Sequence, residues 1–244
     1  MRTLYGLSQS PYTEKARWAL DHHAIDYRYH EHVPVLGEVL LRIKARSRAP
    51  GTKPSVPLLV DGDDVLLSSL AIARHADARG GADPLFPSEL DAEIVKWTEL
   101  SDEMIGAGRS RVMVGLRTNR DAQREALPPF IPGPLRGLMT PMASTAAAFL
   151  GSKYDVPRDA DAEAEKTLRP ALDAVRAALG DRVHILDRFT FADVAIASAL
   201  QALRPPTRAP IGPATRDIWT NESLAGEYGD LLTWRDAIYA TRRG

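Results

Sequence analysis

The sequence predicts two unlike halves, an α/β fold on a small mixed sheet followed by an all-α region. Three observations carry this. Residues 1–79 read strand, helix, strand, helix, strand, strand, helix, an order that suits a mixed sheet covered by helices. Residues 80–88, Gly-Gly-Ala-Asp-Pro-Leu-Phe-Pro-Ser, are dense in turn formers and mark a linker. From residue 89 to 244 the apolar pattern is helical.

The first strand runs from Thr3 to Leu7, and a short polar loop leads to a helix over residues 11–24. Pro11 and Glu14 in its first turn are what helix starts prefer, so Ser10 stands at the N-cap. Unsatisfied N–H groups and the positive end of the helix dipole meet there. An anion or thiolate beside Ser10 is stabilised before any side chain is counted. Residues 26–32 alternate with period two and predict a strand on which His30 and His32 share a face. Leu36, Val39, Leu40 and Ile43 then fall at helical spacing, ahead of a Pro-, Gly- and Arg-rich loop over residues 47–55. Val56-Pro57-Leu58-Leu59-Val60 and Val65-Leu66-Leu67 flank Asp61-Gly62-Asp63-Asp64, a hairpin with Asp-Gly turn chemistry. Ser68 and Ser69 give a further N-cap signal for a helix bearing Leu70, Ile72, Ala73 and Ala76.

In the second half, Leu90, Ile94, Trp97, Met104 and Val112 mark one face of a long helix, with Ser101 and Gly108 on the same stripe. Gly106 and Gly108 each cost about 1 kcal/mol against Ala inside a helix, so a kink or a close neighbour is expected to offset them. A Pro-rich segment, residues 128–141, interrupts the next helical region, and alanine is enriched over residues 143–148. Leu168, Leu172, Val175 and Leu179 mark another helix, closed by Gly180 and expected to kink at Pro170. Thr190 and Asp193 form a capping box, with Phe189 and Val194 as its hydrophobic staple. That motif is read as structural.

Composition narrows the chemistry. The 244 residues are 44% hydrophobic and 26% charged, as in ordinary globular proteins. A net charge of −1 gives no reason to expect a nucleic acid or an anionic membrane as partner. No apolar run approaches the roughly 20 residues of a membrane helix, and no signal pattern opens the chain, so a cytoplasmic location is expected. Without a single cysteine, any sulfur chemistry must come from a bound ligand.

Four features then stand in order: Ser10-Pro11-Tyr12 opening the first helix, Ser55-Val56-Pro57 before a strand, Ser68-Ser69-Leu70-Ala71-Ile72 opening the third helix, and the Thr190 to Asp193 box. This ordered set resembles the cytosolic glutathione S-transferases over nearly the whole chain, with Ser10 closest to the theta and zeta classes. The resemblance implies a thioredoxin-like N-terminal domain (1–79) that binds glutathione, a linker (80–88) and an all-helical domain (89–244) that receives the electrophile. It also implies that Ser10 is the activating residue, that Pro57 is a cis-proline, and that Val56 offers backbone bonds to the cysteinyl part of glutathione. Ser69 matches the serine that contacts the γ-glutamyl carboxylate. Ser68 is a departure, because the family usually has Glu or Gln there. Glutathione as co-substrate, no metal, a small-molecule electrophile and a homodimer complete what the resemblance implies.

The chemistry is feasible on general grounds. A free thiol with a pKa near 8.5 is only about 3% ionised at pH 7. Lowering it by two units takes about 2.7 kcal/mol. A hydrogen bond to the charged sulfur supplies roughly 1.5–3 kcal/mol and a helix N-terminus roughly 0.3–1. Ser10 is thus a donor to sulfur, not a nucleophile, and the competing reading makes it only a cap. Tyr5 and Thr13 are the rival hydroxyls, Tyr5 being more readily a core residue. Ser8, in a near miss to a hydrolase nucleophile elbow, lacks an acid and histidine to serve it. His30 and His32 lack a third ligand for a metal. Six arginines between residues 109 and 136 face only Asp121 and Glu125, a solvated helix face or a receiver for an acidic substrate. Met104 and Val112 are expected to shape the electrophile pocket. The alternative function is a noncatalytic ligand-binding or interaction protein of the same fold, favoured by Ser68.

Overall fold

A computed structural model describes residues 2–33, 37–45, 55–127, 132 and 159–243. The chain divides into two compact units, one of residues 1–99, 181–198 and 237–244, the other of residues 100–180 and 199–236.

The first unit is built on four short strands, β1 (Thr3–Gly6), β2 (Arg28–Glu31), β3 (Leu58–Asp61) and β4 (Asp64–Leu66), in the order β2-β1-β3-β4. β1 pairs parallel with β2, and β3 runs antiparallel to both β1 and β4. Gly62, at φ +60°, sits in the tight β3–β4 connection, a backbone conformation that glycine adopts without strain. Helices α1 (Pro11–His22), α2 (Glu38–Ala45) and α3 (Ser69–Asp77) complete this α/β part. Leu4, Trp18, Leu20, Leu58, Leu59 and Ile72 are buried in its core.

Two expectations need correcting here. On α2 the side chains Val39 and Ile43 are 63% and 61% exposed, while Leu41 and Ala45 are buried. A helical period identifies a stripe, but packing chooses the face, and it chose the neighbouring one. Secondly, β2 ends at Glu31, so His30 is exposed and His32 is buried beyond the strand. No group of three potential metal ligands occurs among the described residues.

Within residues 80–88, Leu85 and Pro87 are buried while residues 81–84 and Ser88 are exposed. Leu85 is fully buried; its N–H donates to the Asp77 carboxylate and its carbonyl accepts from Phe191 N–H. Phe86 lies with its ring centre 5.0 Å from that of Phe191, under the Arg74 guanidinium.

Helix α4 (Asp91–Thr118) is followed by α5 (Arg120–Glu125), α6 (Ala160–Leu179), α7 (Phe191–Ala199), α8 (Pro213–Trp219), α9 (Glu222–Glu227) and α10 (Gly229–Arg242). The buried residues of α4 are Ile94, Thr98, Ser101, Met104, Ile105, Gly108 and Val112, with Thr98 where Trp97 was expected. Gly108 answers to a close neighbour: a Cβ there would meet the Ala202 Cβ at 2.7 Å. Gly106 has open space instead. Met104 and Val112 are buried side chains, which gives a substrate little of their surface. Pro170 is accommodated inside an uninterrupted α6, and Gly180 follows at φ +48°. Glu125 turns back to cap α8, accepting from the N–H groups of Ala214 and Thr215. The Pro-rich segment (apart from residue 132), the alanine tract over residues 143–148 and most of the loop over residues 47–55 lie outside the described residues. No described helix is long and apolar enough to cross a membrane.

Candidate active site

Strand direction gathers the candidate residues. β1 leaves the sheet at Gly6, and its partner across the β1–β3 ladder at Tyr5 is Leu58, so the Ser8–Ser10 loop emerges beside Pro57. β4 runs back along β3, placing Leu66 opposite Leu59, so Ser68 and Ser69 leave the sheet at the same end. β2, parallel to β1, ends there too, with Glu31 opposite Gly6. One end of the sheet therefore carries Ser10, Val56, Pro57, Ser68, Ser69 and Glu31.

Ser10 occupies the N-cap of α1 with extended backbone (φ −85°, ψ 128°), yet its hydroxyl makes no capping bond. Its carbonyl accepts from Glu14 N–H and its own N–H donates to the Leu7 carbonyl, which fixes the backbone without the side chain. Pro11 at the first helical position removes one donor that a cap would otherwise serve. The half-buried residue thus stands at a helix N-terminus with its hydroxyl oxygen not engaged by a capping N–H.

The peptide bond between Val56 and Pro57 is cis, as the resemblance implied. Pro57 is buried and Val56 half-buried, just ahead of the first β1–β3 pair. At α3 the roles of the two serines separate. Ser68 is the exposed N-cap, its hydroxyl accepting from Ala71 N–H at 3.1 Å. Ser69, the first helical residue, is buried. Capping at Ala71 leaves the N–H groups of Ser69 and Leu70 as the donors that open the helix.

The rival hydroxyl residues have other surroundings. Thr13 is fully buried and accepts from Leu7 N–H at 3.1 Å. Tyr5 belongs to the core with Leu41, Ala45 and Leu58, its ring 5.1 Å from that of His30. Ser8 donates from both its N–H and its hydroxyl to the Glu31 carboxylate, at 3.0 and 3.2 Å. Glu31 also accepts from the Tyr29 hydroxyl at 2.8 Å. Burial, then the bond to Glu31 and its charge, push the Tyr29 phenol well above its ordinary range. The register that sets Glu31 opposite Gly6 brings its carboxylate to the Ser8 loop, and no local spacing announces such a pairing. Within the arginine run, Arg111 pairs with Asp161 at 2.6 Å and Arg124 with Asp121 at 2.8 Å. Arg136 lies outside the described residues.

Residues 4–84 match the family model of the glutathione S-transferase N-terminal domain. That match covers the N-terminal third of the chain, which is thus similar to a glutathione S-transferase N-terminal domain. The chain's fold, a thioredoxin-like domain followed by a helical region, is that of a glutathione S-transferase from Methylobacillus flagellatus KT with glutathione bound. That match has 15% identity and a TM-score of 0.64, and covers 98% of this chain and 95% of that one. It is also similar to the beta-etherase LigF from Sphingobium sp. strain SYK-6, at 16% identity and a TM-score of 0.63, over 98% of this chain and 95% of that one. A delta-class glutathione transferase from Nilaparvata lugens shares 16% identity and a TM-score of 0.60, over 100% of this chain and 91% of that one. No curated protein matches the sequence.

Proposed function

We propose that the protein is a serine-type, glutathione-dependent transferase that ionises the thiol of glutathione for attack on an apolar small-molecule electrophile. The observation that carries this reading is the Ser10 hydroxyl, which heads α1 and is not held to the helix by a capping bond, so its O–H can turn toward a sulfur anion. With the donor, the helix dipole and no competing cap bond, the roughly 2.7 kcal/mol needed for two units of pKa lowering is within reach. The thiolate attacks the electrophilic carbon, an S–C bond forms, and the leaving group departs with the bonding pair while the thiol proton passes to solvent.

Val56 offers its backbone to the cysteinyl residue, with Pro57 setting its direction. Ser69 and the α3 N-terminus hold the γ-glutamyl carboxylate. Ser68 spends a lone pair on Ala71 and keeps its proton, so it can add a donor to the same carboxylate. Residues 1–79 form the glutathione-binding domain, 80–88 the connection, and 89–244 the region that receives the electrophile. The protein works as a cytoplasmic homodimer, without a metal.

Calorimetric titration with glutathione, then turnover against a panel of electrophiles, tests the reading. Binding with turnover is expected. A specific observation favours a second reading, a noncatalytic ligand-binding protein of the same fold: Ser68 stands where the family's Glu or Gln grips the γ-glutamyl amine. Tight binding of apolar ligands with no affinity for glutathione would decide for it.

A further inference from the structure

We propose that Arg243 is a positioning residue for thiol activation, keeping the start of α1 electropositive by neutralising Glu14. This rests on the reading of Ser10 given above. Glu14, Trp18 and Asp21 follow one another along one face of α1, at spacings of four and three residues. Arg243 lies along that face: Nε donates to Glu14 at 2.9 Å, a terminal nitrogen donates to Asp21 at 2.6 Å, and the guanidinium carbon is 5.9 Å from the Trp18 ring centre. Its side chain is only 7% exposed. Burial alone would lower its affinity for the proton, but the charges of Glu14 and Asp21 outweigh that and hold it above its ordinary range. It is a fixed cation.

Distance separates the two carboxylates. At about 1.5 Å of rise per residue, Glu14 lies roughly 6 Å along the axis from Ser10 and Asp21 roughly 16 Å. The screening length in physiological salt is about 8 Å, so Asp21 is largely hidden from the helix start and Glu14 is not. An uncompensated Glu14 would oppose a sulfur anion at Ser10, which makes the ion pair with Arg243 part of the site's electrostatics. Among the other charged groups near this face, Arg242 lies over the Phe189 ring. Arg17 donates to the Tyr27 hydroxyl and lies over Tyr29, and the Lys15 ammonium lies over Tyr12. Glu31, at the end of β2, is held by Ser8 and Tyr29.

Because the chain has no cysteine, Ser10→Cys places a single thiol at the helix start and reports on the local field without glutathione. In that background the thiol is titrated by its thiolate absorbance. Arg243→Met should raise its pKa by about half a unit to one unit. Adding Glu14→Gln should restore it, adding Asp21→Asn should not, and Arg243→Lys should keep most of the native value. If Arg243→Met folds poorly, Glu14→Gln alone should lower the thiol pKa. An unmoved thiol in Arg243→Met or in Glu14→Gln, or restoration by Asp21→Asn, overturns the proposal. Failure of the native protein to bind glutathione would defeat the transferase reading instead, and leaves the titration at position 10 fully decisive for Arg243.

Discussion

The helix starts at Ser10 and Thr190 carry the same signature, a hydroxyl residue followed by an acid within the first turn, and they are used in opposite ways. At Thr190 every group is spent. The hydroxyl, fully buried, accepts from Ala192 N–H, and Asp193 accepts from the N–H groups of Thr190 and Ile185. At Ser10 the backbone is bonded and the hydroxyl does not cap. Ser68 falls between them, with a capping bond on an exposed side chain. A cap signature therefore marks a helix start reliably, while what the cap does is decided by which donors around it are already satisfied.

Substitutions can break this comparison. The largest effect is expected from Asp193→Ala, which strands two buried N–H groups and should cost about 3 kcal/mol in a urea unfolding curve. A loss below about 1 kcal/mol would mean that the Thr190 start is not the filled one. Ser10→Ala should do the reverse. Stability should hold within about 0.5 kcal/mol because no cap bond is lost. Turnover at neutral pH should fall by more than about tenfold and recover as pH rises, since a charged hydrogen bond of roughly 1.5–3 kcal/mol is removed. Tyr5→Phe should leave the pH profile alone; if it abolishes thiolate absorbance and Ser10→Ala does not, Tyr5 is the activating hydroxyl.

Ser68→Ala should cost about 1 kcal/mol of stability through its cap bond, the intermediate case. The smallest effect belongs to the far end of α1, where the His23 ring is 3.0 Å from the Asp77 carboxylate. Burial, with the neighbouring His22, lowers the His23 pKa below its ordinary 6.5 despite Asp77. The unfolded chain therefore takes up that proton first as pH falls. Stability from this group is full above about pH 6.5 and declines below it, so His23→Gln should flatten the pH dependence of the melting temperature between about pH 7 and 5.

What could be read from the sequence was local. Thr3 to Leu7, the hairpin around Asp61-Gly62 and the Thr190–Asp193 box each state their structure within a few residues and each formed, β1 one residue shorter and the hairpin with Asp61 and Asp64 paired in strands Leu58–Asp61 and Asp64–Leu66 rather than in the turn. The cis bond at Pro57 came from the resemblance. On α2, by contrast, Val39 and Ile43 were indistinguishable from core residues, because periodicity does not say which side of a helix meets its neighbours. Trp97 and Thr98 exchanged places on α4 for the same reason. Long-range polar partners were invisible: Arg243 reaches Glu14 across 229 residues of sequence, and Glu125 reaches Ala214 across 89. No spacing rule spans such separations.

The sheet has a second end. There Asp61 accepts from Arg2 at 2.6 Å and lies 2.9 Å from the His75 ring nitrogen, tying the hairpin to β1 and to the last turn of α3. Burial would raise the Asp61 pKa, yet the bonds from His75 and Arg2 hold it below the ordinary carboxylate value. The anchoring charges thus sit one strand length, about 13 Å, from the loops that gather Ser10, Pro57 and Ser69. On the proposed reading, thiol or substrate preference can be reworked at one rim by loop substitutions while the clamp at the other keeps the sheet in register. A directed search for new specificity should leave Arg2, Asp61 and His75 fixed and randomise the opposite rim.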